Sequence, residues 1–119
     1  MNLITNVIIT KTALDGADFK EAVDLALVCA AFEHQVNLVF TDHAVFNLVK
    51  SQSTLQLDDK NHLNVLKGLE FYDIENVYVE KESLDIRQLK LENLIDAVQL
   101  VDNKEISLIN KLANHVVVI

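Results

Sequence analysis

Cys29 is the only cysteine of the chain, and a lone thiol is the first candidate for chemistry. A nucleophilic thiol needs partial exposure and a positive neighbourhood, because the thiolate is the reactive form. Cys29 stands instead in the apolar run Leu25-Ala26-Leu27-Val28-Cys29-Ala30-Ala31-Phe32, which favours a packed, inert thiol. One cysteine also excludes an intrachain disulfide and a cysteine-based metal site of usual spacing. Asp42-His43 could orient an imidazole for base catalysis. Adjacent side chains rarely face each other, however, and Asp42 more simply caps a helix that starts at His43. His34, His62 and His115 never reach the i, i+4 spacing of a helical metal site. Ser51, Ser53, Ser83 and Ser107 lack a nucleophile-elbow context. Gly16 and Gly68 are the only glycines, so no glycine-rich phosphate loop can be written. The expectation is a chain with no catalytic residue, no cofactor and no metal.

The elements that would position such groups follow from periodicity. Residues 3–10 form a β-branched apolar run too short for a helix, and 36–40, 76–79, 97–100 and 115–119 read as further strands. Helical spacing is carried by Phe19, Ala22, Val23, Ala26, Leu27 and Ala30 over 17–34, and by Leu63, Leu66 and Leu69 over 61–72. Shorter helices are expected over 43–49 and over 83–89, the latter capped by Ser83. Asp102 and Glu105 form a capping-box pair for a helix over 102–114. A turn at 14–18 offers Asp15 or Asp18 as the cap of the first helix, and 51–60 reads as a polar loop. Strands that alternate with helices and read as continuous apolar runs imply a mainly parallel sheet covered on both faces. The expected fold is α/β: a three-layer α/β/α sandwich on a mainly parallel five-stranded sheet, flavodoxin-like, in a single domain over 1–119. Sites in such folds gather beyond the carboxyl ends of the strands, here near 10–15, 41–46, 80–84 and 101–104.

Bulk properties narrow the function classes. The chain is 50% apolar and 24% charged over 119 residues, an ordinary globular composition for one modest core. The net charge is −8, and the densest cluster of cations, at 81–87, is interrupted by Glu82 and Asp85. That balance opposes direct binding of nucleic acid, which needs a basic face. No apolar run approaches the roughly 20 residues that span a bilayer. The first ten residues have no basic lead and no small-residue cleavage site. A cytoplasmic protein without membrane contact is expected.

Two surfaces are candidates for partners. The polar stripe of the first helix, Lys20, Glu21 and Asp24, is prolonged by the apolar Val28 and Ala31, with Phe32 next to them. A helix apolar nearly all round is buried on more than one side, either by its own chain or at a subunit interface. The segment 43–49 is short and mostly apolar, with Val45, Phe46 and Val49 able to serve a partner or the core. Phe71 and Tyr72, at the end of the 61–72 helix, complete the candidate interface.

Two stretches carry a family resemblance. Leu38-Val39-Phe40-Thr41-Asp42-His43-Ala44-Val45-Phe46 runs from a strand into a rim helix of D-[GH]-[AV]-[VF] type. Lys67-Gly68-Leu69-Glu70-Phe71-Tyr72-Asp73-Ile74-Glu75 ends a helix in a leucine, an aromatic and Tyr-Asp-Ile-Glu. Together they resemble the TusC/DsrF branch of the DsrE-like sulfur-relay proteins, and the similarity in length and element order covers essentially the whole chain. The resemblance implies a non-catalytic subunit of a hetero-oligomer with TusB-like and TusD-like sisters. It implies persulfide transfer toward wobble 2-thiouridine in tRNA, or alternatively service in a dissimilatory sulfur-oxidation complex. The sulfur-carrying cysteine of the family belongs to the TusD/DsrE-type sister, near the end of its third strand. The matching Val77-Tyr78-Val79-Glu80-Lys81 holds none. A relay station needs a thiolate to attack the donor sulfur, so this chain is expected to be structural and self-associated when isolated. The rivals are a sulfur-accepting transferase that uses Cys29 and a nucleotide or small-ligand binder at the carboxyl edge of the sheet.

Overall fold

The computed structural model describes residues 3–50 and 64–119. The loop expected over 51–60, and the start of the 61–72 helix with His62 and Leu63, lie outside the described residues. Among the described residues there are five strands: β1 (Ile4–Ile9), β2 (Gln35–Phe40), β3 (Asn76–Glu80), β4 (Gln99–Val101) and β5 (His115–Val118). They form one sheet in the order β4-β3-β2-β1-β5, with every pairing parallel. The longer helices among the described residues are α1 (Asp18–Ala31), α2 (Lys81–Ile86) and α3 (Asn103–Leu112).

The strand order dictates the layers. From β1 to β4 each crossover moves one strand in the same direction, and right-handed crossovers then place all three connections on one face, the front. The step from β4 to β5 runs back across the sheet to the far side of β1, so α3 lies on the other face. The three-layer, flavodoxin-like sandwich expected from periodicity is the observed one.

Alternation along each strand builds the two cores. Val7, Ile9, Val36, Leu38, Phe40, Val77 and Val79 point forward and are buried against Phe19, Ala22, Val23 and Ala26 of α1. Val39 points backward and packs with Val101 and Ile106, the latter on α3. The α1 helix ends in a Schellman turn: Glu33 N–H donates to the Ala30 carbonyl at 3.0 Å and His34 N–H to that of Cys29 at 3.0 Å. Glu33 itself takes the left-handed conformation, φ 67°.

Several local expectations change. Residues Asp42–Leu48 form a 3-10 helix folded back under the front layer, and Ala44, Val45 and Leu48 are fully buried there. Val49 pairs with Leu94 in an antiparallel bridge, and Ile95 N–H donates to the Leu48 carbonyl at 2.9 Å. The 64–72 segment is helical over 64–67 and tightens to a 3-10 turn at Leu69–Tyr72. Ser83 lies inside α2, which begins at Lys81, so it is no cap. Ala17 holds the N-cap position of α1 without a side-chain bond, while Asp18 pairs with Lys11 at 2.7 Å. Asp102 caps α3 as expected, accepting from Glu105 N–H at 2.9 Å.

Candidate functional site

The carboxyl edge of the sheet is where chemistry would be expected, and here it is closed by its own hydrogen bonds. Ser83, 2% exposed, donates its hydroxyl proton to Glu80 Oε1 and accepts from Asp42 N–H at 2.9 Å. Asp42 is held at φ 52°, the first residue of its 3-10 segment rather than a cap. Asn47, also buried, accepts from Ala13 N–H at 2.9 Å and donates to the Lys11 carbonyl at 3.0 Å. These bonds tie the ends of β1, β2 and β3 together. A serine engaged as both donor and acceptor under a buried surface has no path to a substrate. His43 is exposed and Asp42 is bonded through its backbone, so the pair forms no catalytic dyad.

The end of β3 gathers carboxylates around Lys81, which pairs with Asp85 at 3.0 Å. Glu80, Glu82 and Asp102 gather there, with Glu82 Oε2 accepting from Asn103 N–H at 3.2 Å and Glu82 Oε1 buried without a partner. Negative charge disfavours a thiolate and raises a thiol pKa. Val77 and Val79 point into the front core, so they are closed to solvent. The region therefore offers no thiol. Cys29 is half-buried in α1 and packs against the front core, away from this edge.

Two histidines that are far apart in sequence meet at the amino edge. The His34 and His115 rings stack with centroids 6.5 Å apart and an interplanar angle of 17°, and Thr5 Oγ1 lies 3.0 Å from His34 Nδ1. No group of three or more metal-ligating side chains exists among the described residues.

The candidate partner surfaces divide. Val28, Ala31, Phe32, Phe71 and Tyr72 are exposed, and Phe46 is exposed on the buried 3-10 segment. Val45, a candidate contact residue from the sequence, has no exposed surface: folding back of Asp42–Leu48 places it in the front core. Val49 is half-buried by its bridge to Leu94.

One polar device escaped the sequence reading. Asn6, Asn37 and Asn76 lie side by side across β1, β2 and β3 on the back face. Asn37 Nδ2 donates to Asn6 Oδ1 at 2.8 Å, and Asn76 Nδ2 to Asn37 Oδ1 at 3.0 Å. Asn6 Nδ2 ends the row on α3, donating to the Ile109 carbonyl at 3.1 Å and to Asn110 Oδ1 at 2.9 Å. The signal was present: Asn6-Val7-Ile8-Ile9, Asn37-Leu38-Val39-Phe40 and Asn76-Val77-Tyr78-Val79 each set an asparagine before three apolar residues.

A parallel α/β/α domain with a closed, thiol-free carboxyl edge is the class that the geometry defines. The DsrE/DsrF-like family model matches residues 6–119, and the chain belongs to that sulfur-relay family. Its relatives include the protein TusC homolog of Vibrio vulnificus, 33% identical over 87 residues, 73% of this chain and 74% of that one. The TusC homolog of Pseudomonas aeruginosa is 31% identical over 98 residues, 82% of each chain. The intracellular sulfur oxidation protein DsrF of Allochromatium vinosum is 32% identical over 76 residues, 64% of this chain and 56% of that one. The crystal structure of the ychN protein from E. coli superimposes with a TM-score of 0.76 over all of both chains at 19% identity, which shows the shared fold. No helix among the described residues is long and apolar enough to cross a membrane.

Proposed function

We propose that this chain is a non-catalytic structural subunit of a cytoplasmic sulfur-relay hetero-oligomer, a single domain that supports persulfide transfer by TusB-like and TusD-like sisters. The observation that carries the reading is the end of β3. Where the resemblance implies a sulfur-carrying cysteine in the active sister, this chain has Val79 buried and Glu80 bonded to Ser83. The similarity to TusC homologs favours service in tRNA 2-thiouridine synthesis. The similarity to DsrF supports sulfur oxidation as the second reading, and the neighbouring genes discriminate the two.

Two measurements test the proposal. The chain co-expressed with both sisters should elute as a defined hetero-oligomer by light scattering, and alone it should self-associate. A stable monomer that ignores both sisters would refute the scaffold role. Cys29 in the native protein should react slowly with alkylating agents and carry no persulfide after incubation with a persulfidated donor. Rapid loading at Cys29 would turn the assignment to a sulfur acceptor.

A further inference from the structure

At the amino edge of the front layer the chain leaves an apolar surface uncovered. Phe32, which closes α1, is 75% exposed, and Phe71 and Tyr72 on the facing turn are 83% and 61% exposed. Val28 continues the surface along the outward side of α1. Between α1 and that turn runs a groove of about 460 Å³, which Leu27 shares with Phe71 and Tyr72. Single apolar groups on a surface need no explanation, but a group of large ones on two adjoining elements marks a contact site.

The rim selects the occupant. Glu33 follows Phe32, Glu70 precedes Phe71, and Asp73 and Glu75 follow Tyr72; all four are exposed. Across residues 64–76 the one cation is Lys67. Pairing two copies of this chain through the patch would set acidic rim against acidic rim, and like charges at an interface suppress that partner. We infer that the patch binds a different subunit, apolar at its centre and rimmed by lysine or arginine. The inference rests on the scaffold reading and names the face that meets a sister.

The backbone supplies an independent sign. Glu33 and Asp73, which line one cleft beside the patch, have φ values of 67° and 65°. Aspartate tolerates this left-handed conformation, but at the end of α1 glycine is the residue that fits it without strain. A carboxylate kept at a strained position beside an exposed apolar surface breaks a local folding rule where a contact would need the charge.

The test uses the chain co-expressed with its TusB-like and TusD-like sisters. Phe32→Ser with Phe71→Ser should weaken assembly at least about tenfold while the isolated chain melts as wild type, because both rings are exposed. Glu33→Lys with Glu70→Lys should slow association by about tenfold and flatten its salt dependence. Glu33→Gly should raise Tm by roughly 4 °C yet loosen the complex. Leu108→Ser with Leu112→Ser, exposed on α3, should leave assembly unchanged. Assembly that tolerates both double substitutions in the patch would overturn the inference alone. A dimer of the isolated chain that Phe32→Ser with Phe71→Ser dissolves would assign the patch to a second copy and overturn it as well. Failure of the wild-type chain to join either sister would overturn the scaffold reading, and the inference with it.

Discussion

Among the described residues, the front of the sheet is held by apolar side chains from many elements, whereas the back is held by α3 and a row of amides. In front, Leu38, Phe40 and Val79 lie fully buried beneath α1, Asp42–Leu48 and the connector containing Leu94 and Ile95. Behind, the apolar cluster is Val39, Val101 and Ile106, and the strands are crossed by Asn6, Asn37 and Asn76. Apolar burial supplies most of the free energy but is indifferent to direction. A buried amide is the opposite: its net contribution is modest, but it is costly when unpaired. A slip of one residue would turn each asparagine into the front core and each valine or leucine out of it. The comparison assigns stability to the front and register to the back.

The largest expected effect is therefore in front. Phe40→Ala should cost about 3–5 kcal/mol, the usual toll for an aromatic cavity in a packed core. That is a large part of the roughly 5–15 kcal/mol that holds a domain together. The urea midpoint reads it, and a loss under about 1 kcal/mol would break the comparison at its first step.

The second effect is behind. Asn37→Ala strands Asn6 Oδ1 and Asn76 Nδ2, both of which it now satisfies, and should cost about 1–3 kcal/mol. Because the row acts as a unit, Asn6→Ala and Asn37→Ala together should cost less than the sum of the two, by about 0.5 kcal/mol or more. Strict additivity in that double-mutant cycle would reduce the row to two unrelated bonds.

The third concerns α3, which covers the back. Asp102 accepts from Glu105 N–H at 2.9 Å, and Glu105 Oε1 accepts from Asp102 N–H at 3.2 Å. Asp102→Ala should cost about 1 kcal/mol and raise hydrogen exchange in α3 before it does so in α1. Equal acceleration in both helices would mean that the two layers open together.

These contrasts explain what could be read beforehand. The β-branched runs at 3–10 and 115–119 identify strands because no helix fits so short an apolar run, and Asp102 with Glu105 is a local pattern that tertiary contacts do not override. The 42–48 segment was harder. Its apolar residues do not reveal whether they face a partner or the core, and only the bridge between Val49 and Leu94, a contact between residues 45 positions apart, settles that Val45 goes inward. The asparagine row is a non-local device as well. Each asparagine alone reads as a polar break in a strand, and parallel register makes the three neighbours. Exposure at Val28 and Phe32 was open for the same reason, since periodicity shows an apolar face without showing what covers it.

The smallest effect belongs to neither face but to the rim above the front core. Thr12 N–H donates to Asp15 Oδ2 at 3.1 Å, and this bond, with help from the Thr12 side chain, holds the Asp15 carboxyl below its ordinary pKa. The folded state thus releases its proton more readily than the unfolded chain does. The contribution is fully present above the unfolded pKa and is lost as pH falls through the lower folded value. The difference in urea midpoint between the wild type and Asp15→Asn should therefore shrink from about pH 5 to about pH 3. Asp15 is exposed, so solvent screening keeps the change well under that of Asp102→Ala. A difference that grows toward acid would reverse the sign of the linkage and remove Thr12 as its cause.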